Sequence, residues 1–164
     1  MGYMSETAKH RSIFLPYCKG NGIDIGYGGD PIVETAITLD QEHRYSFEGK
    51  KPQNLTADAS SLYMFADNAL DYVYSSHCIE DFRETADVLR EWLRVVKIGG
   101  YLCLLFPDEA VYRSKSKTTN IAHVHDTFGL QFLLARMPMN TKILVAKDLF
   151  EGKDYNCAVV VQKC

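Results

Sequence analysis

The residue pattern that most directly suggests ligand chemistry is a glycine-rich stretch after a short apolar segment. It reads Asp24-Ile25-Gly26-Tyr27-Gly28-Gly29-Asp30-Pro31. Glycines let the backbone turn tightly and let a ligand approach peptide N–H groups. A plain tight turn is the simpler interpretation of this stretch on its own. The dinucleotide pattern GxGxxG is not met, because Pro31 occupies the position of the third glycine.

Carboxylates follow two further segments of extended pattern. Asp40 ends the alternating segment Thr35–Asp40, and a carboxylate at a strand end can accept both ribose hydroxyls of a nucleoside in a bidentate match. Asp58 is a candidate acceptor for the amino group of an adenine. Taken alone, each is also explained as a solvated carboxylate in a cap or loop. Asp40 follows Gly26 too closely for the ribose-binding acid of a dinucleotide enzyme, which lies about 20 residues after the glycines.

Three histidines are candidates for a proton acceptor, because histidine is the usual base near neutral pH. His77 lies in the polar run Ser75–Asp81, for which a surface loop that caps a helix is the alternative. His123 and His125 are two positions apart, so in an extended segment both side chains point to the same side. A solvated loop before a helix, with Asp126 as its N-cap, is the alternative for this pair.

Composition bounds the class of protein. The 164 residues are predicted to form a single domain, 1–164, that buries a core without metal or disulfide support. The net charge of −3 argues against a nucleic acid as partner. The five cysteines include no CxxC, so neither a zinc site nor a disulfide framework is expected, and reduced thiols indicate a cytoplasmic protein. No apolar run approaches the roughly 18 residues of a membrane span.

Alternating strand and helix patterns must position these residues. Helical periodicity is clearest over 84–97, which is followed by Gly99-Gly100 as a stop signal. A second helix is predicted over 126–137, a short covering helix over 3–14 and a loop over 41–53. The predicted strands are Asn21–Ile25, Thr35–Asp40, Asn54–Ala57, Leu70–Tyr74, Tyr101–Phe106, Lys142–Ala146 and Asn156–Gln162.

This order of elements predicts an α/β fold with a mostly parallel sheet. The last two strands have no crossover helix between them and should pair antiparallel at one edge. In such a sheet, ligands bind beyond the carboxyl ends of the strands, where the strand order reverses. The glycine turn, Asp40, Asp58 and the run around His77 all follow predicted strands, so they are expected to meet there.

These segments together resemble the class I S-adenosylmethionine-dependent methyltransferase family, in particular its small type 11 members, over residues 20–107. The resemblance rests on five pieces in the family's order: the glycine motif in Gly22–Gly28, the acidic motif Leu39-Asp40, the run from Asp58 to Asp71, Ser75–Phe82 against S-x-H-x-L-E-H, and Leu93–Gly100 against L-R-V-L-K-P-G-G. Ile98 replaces the usual proline, and Asp81 replaces the last histidine of the S-x-H-x-L-E-H motif.

The resemblance implies a Rossmann-like sheet of seven strands with an antiparallel C-terminal hairpin, and S-adenosylmethionine as cofactor. The implied contacts follow the length of the cofactor: its methionine end on Gly26, Tyr27 and Gly28, its amino group beside Asp24, its ribose on Asp40, its adenine flanked by Asp58 and Ala59, and the floor of the site on Ser75 and Ser76. The implied reaction is methyl transfer to a small-molecule acceptor at oxygen or nitrogen.

His77 would face the methyl group by the same resemblance. The N/D-P-P-Y motif of amino-methylating nucleic-acid enzymes does not follow the fourth strand, which favours a small acceptor. His77, Glu80 and Asp81 lie where some quinone-ring methyltransferases hold a divalent ion. Because adjacent Glu80 and Asp81 would point apart on a helix, no metal is predicted.

The first half of the sheet is expected to have thin cover. Only about 10 residues connect the first two strands, the minimum for a parallel crossover. A helix after the glycine turn is therefore short or missing, with Asp30 and Pro31 as its cap and first residue. Either a homodimer or the N-terminal segment 3–14 would supply the missing cover.

Segment 108–122 is polar and carries Arg113, Lys115 and Lys117. It is interpreted either as a surface loop or as a lid whose cations attract an anionic acceptor. Asp108 and Glu109 at its start are candidates for an acid or for a group that orients the base.

Two other functions compete with methyl transfer. The alternative is a non-catalytic methyltransferase-fold module that binds a partner protein, which the small size and short helices would suit. A nicotinamide-dependent oxidoreductase is disfavoured by the missing third glycine and by the early position of Asp40.

Overall fold

The computed structural model describes residues 4–41, 53–116 and 120–164, and these contain one mixed sheet of seven strands. The strands are β1 (Gly22–Ile25), β2 (Ile37–Asp40), β3 (Leu55–Thr56), β4 (Leu70–Ser76), β5 (Val96–Pro107), β6 (Thr141–Leu149) and β7 (Asn156–Lys163). The helices are α1 (Glu6–Phe14), α2 (Thr85–Val95), α3 (Glu109–Lys115) and α4 (Leu130–Leu134), with a 3₁₀ turn at Ile79–Asp81. None of these helices is long and apolar enough to cross a membrane.

The strand order is β3-β2-β1-β4-β5-β7-β6. The first five strands pair in parallel, and β7 lies antiparallel between β5 and β6. β7 is apolar over most of its length and buried, as a strand between two neighbours should be, whereas β6 is largely exposed at the edge. The predicted α/β class, the mostly parallel sheet of seven strands and the antiparallel C-terminal hairpin are confirmed.

Two apolar clusters cover the two faces of the sheet. On one face α2 buries Leu89, Trp92 and Leu93 against the strands. On the other face Phe14 of α1 packs edge-on against Tyr74, with ring centroids 5.2 Å apart. The N-terminal segment therefore supplies the cover that the short β1–β2 connection lacks. The homodimer stays a prediction.

Arg11 of α1 holds the loop after the glycine turn. Its guanidinium donates to the backbone carbonyls of Pro31 and Ile32 and pairs with the carboxylate of Asp30 at 2.7 Å. Residues 26–36 form turns and no helix. The expectation of a short or missing helix after the glycine turn is confirmed, because the helix is missing. Asp30 and Pro31 are therefore not its cap and first residue, and the Asp30 carboxylate binds Arg11 and Ser5 of the N-terminal segment instead.

Other boundaries differ from the sequence prediction. α2 ends at Val95, so Lys97 belongs to β5, where its ammonium group pairs with Asp71 at 2.7 Å. Gly129 has extended backbone and delays the later helix to Leu130, so Asp126 is not its N-cap. α3 replaces the first part of the predicted loop over 108–122, because the Asp108 side chain caps it at the Val111 N–H. Most of the predicted loop 41–53, together with Lys117, lies outside the described residues.

Candidate functional site

The sequence-predicted site residues gather where the strand order reverses. β1 has β2 on one side and β4 on the other, so the carboxyl ends of β1 and β4 flank the reversal point. In open α/β sheets this is the crevice in which ligands bind. The glycine turn follows β1, Asp40 ends β2 and His77 follows β4, so all three lie at one edge of the sheet.

The glycine turn needs its glycines for two different reasons. Gly26 and Gly28 have φ angles of +67° and +57°, which side chains other than glycine rarely adopt. A Cβ on Gly26 would lie 2.9 Å from the Cβ of Cys78, so close packing against the loop after β4 excludes a side chain there. Among the residues that the structure describes, a Cβ on Gly28 would meet only the Gly26 carbonyl oxygen, at 3.9 Å. Of the two positions, Gly28 is thus the one where the described part of the chain leaves room for a side chain.

Asp40 stands over this turn. One carboxylate oxygen accepts a hydrogen bond from the Gly28 N–H at 3.1 Å, and the other accepts from the Gln41 N–H at 2.8 Å. The Asp40 side chain is half-buried. This is the position that the sequence assigned to ribose recognition.

Asp24 lies beneath the turn and is fully buried. Its Oδ2 accepts from the Ile32 N–H at 2.6 Å, which closes the loop after the glycine turn. Its Oδ1 is buried with no hydrogen-bond partner in the described part of the chain. Burial raises the pKa of this carboxyl well above its ordinary value, partly opposed by the Ile32 hydrogen bond.

The candidate adenine residues lie on the loop after β3. Asp58 is exposed, and its Oδ1 accepts from the Ser60 N–H at 2.8 Å, which lowers the pKa of its carboxyl. Ala59 is buried, and its carbonyl accepts from the indole N–H of Trp92 at 2.7 Å. This hydrogen bond therefore anchors the loop after β3 to Trp92 of α2.

Ser75, Ser76 and Tyr27 are buried around the crevice. The Ser75 hydroxyl donates to the Ile25 carbonyl at 2.9 Å and ties β4 to β1. Both serines belong to β4 itself, which is two residues longer than the sequence predicted. Ser75 thus connects β1 and β4, the two strands that flank the reversal point.

His77 is the most unusual residue of the site. Its φ of +53° places a non-glycine residue in the left-handed region, a strain that clusters at functional sites. Its Nε2 lies 2.7 Å from Oδ1 of Asn156, and its Nδ1 lies 3.7 Å from Oε1 of Glu80. The side chain keeps 23% of its surface exposed. Burial lowers the pKa of the imidazole, while the charge of Glu6 and the Asn156 hydrogen bond oppose that shift.

His123 and His125 bind different partners. His123 is 4% exposed, and its Nδ1 lies 2.6 Å from Oε2 of the buried Glu109. His125 Nε2 lies 3.0 Å from the Phe82 carbonyl, and its ring packs on Phe132 at 4.7 Å. His123 is less exposed than His77, at 4% against 23%, and His77 directly follows β4. Which of the three histidines acts as the base stays a prediction.

Glu80, Asp81 and His123 bring one ligand atom each within 4.8 Å of one another. The argument that Glu80 and Asp81 must point apart is therefore wrong, because they lie on a 3₁₀ turn rather than an α-helix. His123 is already held by Glu109, and its Nε2 lies 3.8 Å from Glu80. We interpret the group as a buried cluster of acids and histidines and assign no ion to it.

The described cations of segment 108–122 are engaged within the protein. Arg113 pairs with Glu109 and Asp126, at 2.6 Å each, and Lys115 donates to the carbonyls of Phe150 and Asp154. These contacts remove the basis for expecting an anionic acceptor from Arg113 and Lys115.

Sequence reasoning missed Asn156 and Glu6, which lie beside His77. Asn156 begins β7 and is 1% exposed, and its Nδ2 donates to Oε2 of Glu6 at 2.9 Å. A polar residue at the start of an otherwise apolar strand was the available signal. Its partner could not be found from the sequence, because 79 positions separate Asn156 from His77.

Comparison with protein-family models identifies one family for this chain. A family model described as a methyltransferase domain matches residues 23–104, half of the chain. No curated protein sequence matches the chain.

Solved structures share the fold at low sequence identity. A protein from Pyrococcus horikoshii aligns with a TM-score of 0.74 and 18% identity, over 96% of this chain and 89% of that one. A SAM-dependent methyltransferase from Archaeoglobus fulgidus aligns with a TM-score of 0.69 and 18% identity, over 96% and 92%. A Haloferax volcanii protein, solved in complex with the Trm112 methyltransferase activator, aligns with a TM-score of 0.66 and 14% identity, over 96% and 88%.

Proposed function

Because the chain belongs to the methyltransferase domain family, we propose that it transfers a methyl group from S-adenosylmethionine to an oxygen or nitrogen atom of a small-molecule acceptor. The family's cofactor is S-adenosylmethionine. The net charge of −3 and the Ser75-Ser76-His77-Cys78 run at the end of β4 support a small acceptor over a nucleic acid.

The residues at the reversal point fit this cofactor. At Gly28 no described side chain lies within 4 Å of an added Cβ, and Asp40 presents a carboxylate beside this turn. The unpartnered Oδ1 of Asp24 is a candidate acceptor for the cofactor's ammonium group. We propose that Gly26, Tyr27 and Gly28 hold the methionine end, Asp40 the ribose, and Asp58 and Ala59 the adenine, above a floor that includes Ser75 and Ser76.

The bound cofactor supplies a methyl group on a positively charged sulfur, which leaves as a neutral thioether. The protein must then align the acceptor atom, exclude water and take a proton from a hydroxyl or amine. His77 is proposed for the last task because its imidazole is partly exposed at the crevice. Its lowered pKa keeps the ring neutral and able to accept a proton near neutral pH.

The observation that carries the proposal is the Asp40–Gly28 contact at the carboxyl ends of β1 and β2, with the reversal point of the sheet next to it. A carboxylate at a strand end beside a glycine turn can accept the two ribose hydroxyls of a nucleoside.

Titration calorimetry tests the proposal with S-adenosylmethionine and S-adenosylhomocysteine, with NAD as the control. We expect both sulfur ligands to bind with micromolar dissociation constants and NAD not to bind. Binding would justify a screen of hydroxyl and amine acceptors for radiolabelled methyl transfer. Absence of binding by all three would overturn the proposal and support the non-catalytic module that binds a partner protein.

A further inference from the structure

We propose that Asn156 and Glu6 are positioning residues that hold His77 in the Nε2–H tautomer, so that Nδ1 is the atom that accepts the acceptor's proton. The inference rests on the proposed function for the role of His77 in catalysis. The tautomer itself is a property of the chain and can be measured without cofactor or acceptor.

The orientation of the Asn156 amide follows from its neighbour on α1. Oε2 of Glu6 lies 2.9 Å from Nδ2 of Asn156, and an ionised carboxylate only accepts hydrogen bonds. The amide nitrogen must therefore face Glu6. This leaves the amide oxygen, Oδ1, to face His77.

The orientation of Asn156 then decides the protonation of the imidazole. Oδ1 lies 2.7 Å from Nε2 of His77, and an amide oxygen can only accept a hydrogen bond. Nε2 must therefore carry the proton. A neutral imidazole has one N–H, so Nδ1 carries the lone pair. The hydrogen bond at one ring nitrogen sets the role of the other, as in other catalytic and metal-binding histidines.

Nδ1 is not already used by a hydrogen bond to Glu80. Its distance of 3.7 Å from Oε1 of Glu80 is too long for one. Proton transfer then balances simply. The O–H or N–H bond of the acceptor breaks, its proton goes to Nδ1, and its electron pair bonds the methyl carbon while the sulfur takes the pair of the broken C–S bond. The resulting imidazolium lies between the Asn156 oxygen and Glu80.

Three further observations concern how the protein surrounds and holds the His77–Asn156 pair. Asn156 is 1% exposed, so its amide forms hydrogen bonds within the protein and not with solvent. The His77 N–H also donates to the Leu105 carbonyl at 2.9 Å, which fixes the backbone at its left-handed φ. The charged and titratable groups that the structure describes around the ring are Glu6 and Lys9 of α1, His123, Glu80 and Tyr155, whose ring packs edge-on at 6.0 Å; His10 of α1 lies 3.4 Å from the Asn156 amide nitrogen.

Imidazole ¹⁵N NMR of the full-length chain tests the tautomer directly, because long-range ¹H–¹⁵N spectra distinguish a protonated from an unprotonated ring nitrogen. His77→Gln assigns the signals. We expect the neutral ring of the wild-type protein to be protonated on Nε2. An Nδ1–H ring in the wild-type protein would overturn the proposal.

Variants separate positioning from structural support. Asn156→Ala removes the acceptor at Nε2, and loss of a hydrogen bond of ordinary strength should raise the Nδ1–H population about 2- to 13-fold. Glu6→Ala should raise it in the same direction. Glu6→Gln should restore the wild-type tautomer, because the glutamine oxygen can still accept from the Asn156 amide. Lys9→Ala is the matched control, since it breaks the other ion pair of Glu6, at 2.6 Å, and leaves Asn156 alone.

A pH titration of the same signals adds a second measurement. Glu6 and Asn156 both raise the pKa of His77, so Glu6→Ala and Asn156→Ala should each lower it further, whereas Lys9→Ala should not. Unchanged tautomer and pKa in Glu6→Ala and Asn156→Ala would overturn the proposal. Calorimetry with S-adenosylmethionine keeps the two proposals apart, because lack of cofactor binding would defeat the proposed function and leave the NMR result standing.

Discussion

Substitution of Gly28 by alanine tests whether the glycine turn cradles a cofactor. Gly28 has a φ of +57°, and its added Cβ would meet no atom of the described residues closer than 3.9 Å. Gly152, in the turn between β6 and β7, has a φ of +59°, and no described atom lies within 4 Å of its added Cβ. The two variants Gly28→Ala and Gly152→Ala therefore share the same backbone strain, and only the first places a methyl group at the proposed site.

The expected magnitudes follow from these geometries. A residue with a side chain in the left-handed region costs about 1–2 kcal/mol, and the stiffer unfolded chain offsets about 0.4–1 kcal/mol of that. Both variants should therefore lose about 1 kcal/mol of unfolding free energy, or roughly 2–4 °C in Tm for a chain of this size. A methyl group forced into a packed contact costs about 1–3 kcal/mol, so Gly28→Ala should weaken cofactor binding about 5- to 150-fold.

Calorimetry with S-adenosylhomocysteine and urea unfolding measure the two effects separately. We expect Gly152→Ala to bind as tightly as the wild-type protein and Gly28→Ala to bind more weakly at the same loss of stability. Equal affinities in all three proteins would refute the idea that the cofactor approaches the backbone at Gly28. Gly26→Ala is not a useful substitute, because its Cβ would collide with Cys78 and disturb the fold.

Three further perturbations test the site and the fold. Asp40→Asn should weaken S-adenosylmethionine binding about 10- to 100-fold, because hydrogen bonds to a charged group contribute about 1.5–3 kcal/mol; calorimetry at unchanged Tm checks this, and unchanged affinity would remove the ribose assignment. Phe14→Ala should cost about 3–5 kcal/mol in urea unfolding, because Phe14 is fully buried under α1 against Tyr74; a loss below 1 kcal/mol would mean that α1 is not part of the core. Burial raises the pKa of Glu80 well above its ordinary 4.5, so the folded state binds this proton more tightly than the unfolded state. The contribution of this proton to the unfolding free energy is fully present below pH 4.5 and is lost as the pH rises through the raised pKa. Glu80→Gln should therefore flatten the fall of unfolding free energy with rising pH, and an unchanged slope in urea titrations from pH 5 to 8 would contradict the assignment.

The local patterns of the chain predicted most of the sheet. β1, β2 and the antiparallel hairpin of β6 and β7 follow from short apolar or alternating runs bounded by turn residues, and the apolar stripe of α2 follows from its helical spacing. The ends of elements were less predictable. β4 continues through Ser75 and Ser76 because these residues pair with Leu104 and Leu105 of β5, and α4 begins only at Leu130 because Gly129 is extended. Such boundaries depend on tertiary partners that spacing does not reveal.

The sequence by itself determined the family and the α/β class with its mostly parallel sheet and antiparallel C-terminal hairpin. It also placed the glycine turn, Asp40 and His77 at one edge of the sheet, because each lies at or directly after the end of a strand and parallel strands end at one edge. Only the tertiary structure decided which groups hold each histidine. The antiparallel insertion of β7 beside β5 brings Asn156 to His77, and α1 brings Glu6 to Asn156. These contacts join residues up to 150 positions apart, so they arise from the packing of whole elements and leave no trace in local spacing.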